Sequence, residues 1–147
     1  MKKKIMKIIT FLIISVLIGV QPVFAQTSVG AKLNANHIEL KANESVEITL
    51  SLNNFKDIKK GINAIKGTLE YDTNIFEEVF QSDFIGQNSW EDLKYNAQNN
   101  EFVLYRKVGT KSEENVLKIV LKVKEDIEAT KTLVKLKNIS TSEGKKD

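Results

Sequence analysis

The sequence predicts an all-β protein, an antiparallel β-sandwich of about nine short strands. Three observations carry this. Apolar and polar residues alternate with period two through almost all of the chain beyond its first segment, which is the pattern of strands with one buried face. The alternating runs are separated by short links rich in Asn, Gly and Ser, residues that accept turn geometry. No stretch repeats its apolar residues at the spacing of a long helix, although a short helical turn fits near SEENV or TNIFEEV.

The first segment stands apart. MKKKIMK is cationic, IITFLIISVLIGV (Ile8 to Val20) is an apolar run of 13 residues, and VFA ends on a small residue at Ala25. Together they read as a secretory signal peptide over residues 1–25, cleaved to leave a single domain over residues 26–147. The apolar run is shorter than the roughly 20 residues of a membrane span. The mature product is therefore expected outside the cell and off the membrane. Four of the 22 Lys and Arg leave with the leader and none of the 19 Asp and Glu, so the formal charge of +3 becomes −1. That removes the electrostatic argument for nucleic-acid binding. The chain has no Cys, so a secreted product must draw its stability from a packed core rather than disulfides.

The strands follow in order. VEITLSL turns Val46, Ile48, Leu50 and Leu52 to one face. AIKGTLEY does the same with Ile65, Leu69 and Tyr71, and holds Gly67 where a larger residue would be expected. EFVLYRK is short and rich in aromatics. LKIVLKVK sets Leu117, Ile119, Leu121 and Val123 inward, with Lys118, Lys122 and Lys124 outward, and TLVKLKNI closes the series on Val134 and Leu136. The links between them are NNFKDIKKG, YDTN, IGQNSW, NAQNN and GTKSEEN.

Little catalytic chemistry is available. His37 is the only histidine, which excludes multi-histidine metal sites and most catalytic triads, and without Cys there is neither a thiol nucleophile nor a thiolate zinc site. Glycine-rich phosphate loops are absent. The carboxylate pairs Glu77-Glu78, Glu91-Asp92 and Glu113-Glu114 are sequence neighbours, whereas glycosidic cleavage needs two carboxylates that flank the bond. Asp72, Asn74 and Glu77 are hard oxygen donors of the kind calcium takes, but Asp and Asn in a turn ordinarily bond their own backbone. No enzyme activity, metal or cofactor is expected. Trp90, Tyr95 and Tyr105 would make a sugar-binding platform if exposed and coplanar; Trp90 could equally close one end of the sandwich. The sequons Asn43-Glu44-Ser45 and Asn138-Ile139-Ser140 are too common a pattern to decide anything.

One stretch is unusual. INAIKGTLEYDTNIFEEV begins as a strand, reaches Tyr71-Asp72, and breaks into a polar link before Ile75 and Phe76. Physically this reads as a structural corner. Tyr71 lays its ring on the core edge while its hydroxyl finds a partner, Asp72 caps the turn, and Ile75 and Phe76 plug the end of the sandwich.

A Gly-Ile start, an alternating strand, YD, a few polar residues and then IFEEV also resemble a cohesin domain. The downstream order is similar: ESVEITLSLNN resembles that family's second strand, NNEFVLYRK the sixth, ENVLKIVLKVKE the eighth, and TLVKLKNISTSEGK the ninth. Asn43-Glu44 stands where the family usually has Gly-Asp. The resemblance runs from about Val29 to Gly144, up to the close of the chain at SEGKKD, where the family's last strand exits. It implies a nine-stranded jelly roll. It also implies a secreted, non-catalytic module that docks dockerin-bearing, polysaccharide-degrading proteins, as in cellulosomes, with calcium carried by the partner. The contact face it implies uses the third, fifth, sixth and eighth strands: here Lys66, Thr68 and Glu70, then Tyr95 and Asn96, then Tyr105, then Lys118 and Lys122. Carbohydrate-binding modules share the architecture, so direct binding of polysaccharide is the alternative.

Overall fold

A computed structural model of the chain describes residues 8–13, 29–128 and 130–144. They form strands β1 (Ile8–Ile13), β2 (Gly30–Ala35), β3 (Glu39–Lys41), β4 (Ser45–Asn53), β5 (Ile62–Glu70), β6 (Phe84–Gly86), β7 (Asp92–Asn96), β8 (Glu101–Thr110), β9 (Glu114–Lys122) and β10 (Lys131–Glu143). One 3-10 turn, Gln81–Asp83, precedes β6, and there is no α-helix among the described residues. That turn follows the TNIFEEV stretch, where Phe80 N–H donates to the Asp83 carboxylate at 2.8 Å. SEENV instead runs from a loop directly into β9.

The strands form two packed sheets, a six-stranded one in the order β3-β1-β10-β5-β8-β7 and a four-stranded one in the order β2-β4-β9-β6. This is a jelly-roll sandwich. Every pairing is antiparallel except β1 with β10, which is parallel. Strand β1 lies within the segment that the sequence assigns to the leader, and its backbone joins β3 on one side and β10 on the other. The rest of the leader and the cleavage position after Ala25 lie outside the described residues.

The alternation in the sequence becomes the core directly. Val46, Ile48, Leu50 and Leu52 of β4 meet Leu117, Ile119 and Leu121 of β9 on the inner face of one sheet; Ile65, Leu69, Phe102, Leu104, Val134 and Leu136 line the other, and all are essentially removed from water. At roughly 1.5–3 kcal/mol for each large apolar side chain buried, this interface is the main source of stability in a chain with no disulfide. Gly67 is small for a packing reason: a Cβ there would sit 2.8 Å from the Phe102 ring and 3.2 Å from the Ile139 side chain. Turn residues follow the chemistry of the links. Asn43, Asn54, Asn88, Asn100 and Asn138 all hold positive φ, a conformation that Asn tolerates better than most residues.

The Tyr71-Asp72 corner ends β5. The Asp72 carboxylate accepts the Asn74 N–H at 2.9 Å, and the Asp72 carbonyl accepts the N–H groups of Ile75 and Phe76 at 3.1 and 3.0 Å. The Tyr71 hydroxyl oxygen accepts the Val79 N–H at 3.2 Å, and its ring meets Phe76 edge-on at 6.5 Å. Ile75 and Phe76 are both buried.

Candidate functional site

The outer face of β10, β5, β8 and β7 is a regular surface laid out by strand register. Going across it, Lys137 lies beside Thr68, then Glu101, then Asn96. The next row is Ser140, Lys66, Val103 and Lys94, and the next Ser142, Ala64, Tyr105 and Asp92. Lys135 pairs with Glu70 at the far end. The centre is a small apolar strip of Ala64, Val103 and Tyr105, with Tyr105 41% exposed, and charge of both signs surrounds it.

That charge is organised. Lys66 Nζ reaches Glu101 at 2.8 Å, and Lys137 and Lys135 converge on Glu70, the latter at 4.0 Å. The hydrogen bond from Lys137, with the nearby lysine charges, holds the Glu70 carboxyl below the usual carboxylate range. These are surface pairs, which contribute little to stability and are weakened by salt. Their value lies in fixing long side chains across a flat surface.

Of the residues that the sequence put forward, Lys66, Thr68, Glu70, Asn96 and Tyr105 come together on this face. Tyr95 does not. Neighbours in a strand point to opposite sides, so Tyr95 and Asn96 cannot both face outward. Tyr95 turns inward onto Phe84, with ring centroids 4.4 Å apart, and its hydroxyl donates to Asn100 Oδ1 at 2.8 Å. Burial, reinforced by Tyr71, Glu78 and Asp83, pushes its phenol up to about 12. Lys118 and Lys122 are a second correction. They stand on β9, in the four-stranded sheet on the opposite side of the sandwich, paired with Glu47 at 3.2 Å and Glu77 at 3.3 Å. The place beside β5 belongs to β10, so Lys135, Lys137, Ser140 and Ser142 take their position. Val103 and Lys94 were also missed. The parity of EFVLYRK and DLKYN, with Phe102, Leu104 and Leu93 inward, would have found both.

The aromatics form no platform. Trp90 is fully buried under the β8–β9 crossing; its Nε1–H donates to Glu114 Oε1 at 2.8 Å, and the Arg106 guanidinium lies 5.6 Å from its ring centre. Arg106 also pairs with Glu114. With Trp90 inside and Tyr95 inward, only Tyr105 of the three presents its ring to solvent. His37 is exposed just before β3. Glu77 is engaged by Lys122 and Asp72 by its own turn.

A family profile described as Cohesin domain matches residues 31–147. Among solved structures, the chain is similar to a type I cohesin–dockerin complex from Clostridium thermocellum, Coh-OlpA-Doc918, with a TM-score of 0.58 and 20% identity, covering 77% of this chain and 86% of that one. It is also similar to the Coh-OlpC-Doc435 complex of the same organism, with a TM-score of 0.52 and 20% identity, over 69% of this chain and 74% of that one. No curated protein matches the chain.

Proposed function

The chain belongs to the cohesin domain family, and from that premise we propose that the outer face of β10, β5, β8 and β7 docks a dockerin module of another secreted protein. The observation that carries this is the make-up of the face: an apolar strip of Ala64, Val103 and Tyr105 inside a ring of fixed charges. A partly exposed Tyr at the centre with a charged rim suits a protein interface. It does not suit stacking on sugar rings. The module carries no catalytic chemistry and works outside the cell; removal of residues 1–25 takes β1 out from between β3 and β10 and leaves the β10-β5-β8-β7 pairings in place. Its partner brings its own calcium and a polysaccharide-degrading activity.

The test is capture from the source organism's secreted proteins on the immobilised mature chain, with calcium and again with chelator. Retention of proteins with paired calcium-binding loops is expected. It should be lost with chelator and with Val103→Asp, and kept in Lys118→Ala. Failure to capture, with co-sedimentation on an insoluble polysaccharide instead, would replace docking by direct sugar binding.

A further inference from the structure

The end of the sandwich where β5 begins carries a cluster that the face does not explain. Lys59 and Lys60 immediately precede Gly61, and Lys107 and Lys111 flank Gly109. The two glycines touch: a Cβ on Gly61 would lie 2.6 Å from the Gly109 carbonyl carbon, and one on Gly109 2.7 Å from that of Gly61. Gly61 also holds φ +87, which a side chain would strain. The loop is pinned further, since Gly144 N–H donates to the Gly61 carbonyl at 3.0 Å and Lys60 N–H to the Glu143 carboxylate at 3.1 Å. The two stretches that carry these lysines are thus brought together by a close backbone approach.

Lys56, Lys59, Lys60, Lys107 and Lys111 are all exposed, and none makes an ion pair among the described residues. Lys66, Lys118, Lys122, Lys135 and Lys137 do, and among the described residues Lys32, Lys41, Lys94, Lys124 and Lys131 elsewhere do not, so what marks this end is that its unpaired lysines are gathered around one backbone contact. Asp57, Glu113 and Glu143 are the acids close to these lysines along the chain or by hydrogen bond, Glu143 accepting the Lys60 N–H, so five lysines face three carboxylates. In the middle of this charge sits Val108, 74% exposed, three residues along β8 from Tyr105. It lies within the register shift that separates the Ala64–Tyr105 pair from Ile62–Thr110, so it adjoins the end of the face rather than prolonging its apolar strip.

We propose that this end, Lys59, Lys60, Lys107, Val108 and Lys111, is a cationic extension of the docking face that receives an acidic protein segment with an apolar residue in it. The inference rests on the docking reading for its partner, and it adds that partner's charge. Unpaired cations beside the interface attract such a segment over a Debye length and speed encounter more than they slow release. Val108 distinguishes a protein segment from a hydrated polyanion, which would leave an apolar side chain uncovered.

The probe is a short fluorescein-labelled peptide rich in Glu and containing Leu, followed by anisotropy against the secreted protein across a salt series. Three proteins are compared: wild type, the triple variant Lys59→Glu, Lys107→Glu, Lys111→Glu, and a charge-matched triple variant Lys32→Glu, Lys41→Glu, Lys131→Glu away from this end. Wild type should bind and weaken as salt rises; the first variant should lose on the order of tenfold and most of the salt slope, the second less than about twofold. Val108→Ser should weaken the peptide but not polygalacturonate. No binding by wild type, equal losses in both triple variants, or polygalacturonate binding with no effect of Val108→Ser overturns the proposal. The peptide needs nothing from Val103, so Val103→Asp is expected to abolish capture while leaving this binding intact, and the two readings fail separately.

Discussion

Tyr95 was the residue whose direction the sequence misplaced, and its burial makes it measurable. Its phenol is pushed up to about 12 in the folded chain, above an ordinary value near 10. Below about pH 10 folded and unfolded chains both keep the proton, so Tyr95 adds no pH dependence. Between about 10 and 12 the unfolded chain has lost it and the folded chain has not, so stability falls as pH rises through that window. Spectrophotometric titration of the tyrosines should therefore show one phenolate forming late, and Tyr95→Phe should remove it. Parity alone could have assigned Tyr95 inward, because Leu93 is two residues away and apolar. The Asn100 partner that satisfies its hydroxyl lies across a hairpin turn, and nothing in the local pattern announces it.

At the scale of elements, close approach and crossing strands decide what a substitution costs. A Cβ on Gly86, at the end of β6, would sit 1.6 Å from the Trp90 carbonyl oxygen, which is backbone and cannot swing away. At Gly67 the obstacle is the Phe102 ring at 2.8 Å and the end of the Ile139 side chain. Both changes overpack, at a typical cost of about 1–3 kcal/mol, and Gly86→Ala should lie at or beyond the top of that range with Gly67→Ala below it; urea unfolding ranks them. The crossing from β8 to β9 is tied by Glu114, which serves both Trp90 and Arg106, with the side chains of Arg106 and Glu114 only 15% and 18% exposed. Glu114→Ala leaves a buried indole N–H and a largely buried guanidinium without their acceptor, and should cost about 2–3 kcal/mol by the same measurement.

These elements also show what was legible. The core of β4, β5, β9 and β10 could be read residue by residue, because period two maps onto burial without any tertiary information. The corner at Tyr71-Asp72 was visible as a break in that period. The sheet to which β9 belongs was not, since alternation gives a strand an inner and an outer side but does not say which sheet it joins. That is why Lys118 and Lys122 were grouped with Lys66, Thr68 and Glu70, from which the fold separates them.

At the scale of the whole molecule, the sandwich presents two unlike faces. The β2-β4-β9-β6 side is a polar exterior of Lys32, Asn34, Thr49, Ser51 and Lys118, in which Ile85 is the large hydrophobic left exposed. The opposite side holds the apolar strip, with the lysine-rich end beyond it. Variants such as Val103→Asp change a solvent-facing position and leave the inter-sheet contacts intact, so a loss of capture there reports on docking rather than folding.

The chain's single tryptophan sits where neither surface reaches it. Its emission is consequently an optical gauge of the interior alone: blue-shifted while the sheets stay closed, red-shifted when water enters, and silent to anything that settles on the outside. A titration in which a partner binds and the tryptophan spectrum stays still would be the signature of a rigid scaffold engaged at its surface; a shift on binding would mean that docking reaches through β8 into the Arg106–Glu114 tie and loosens it.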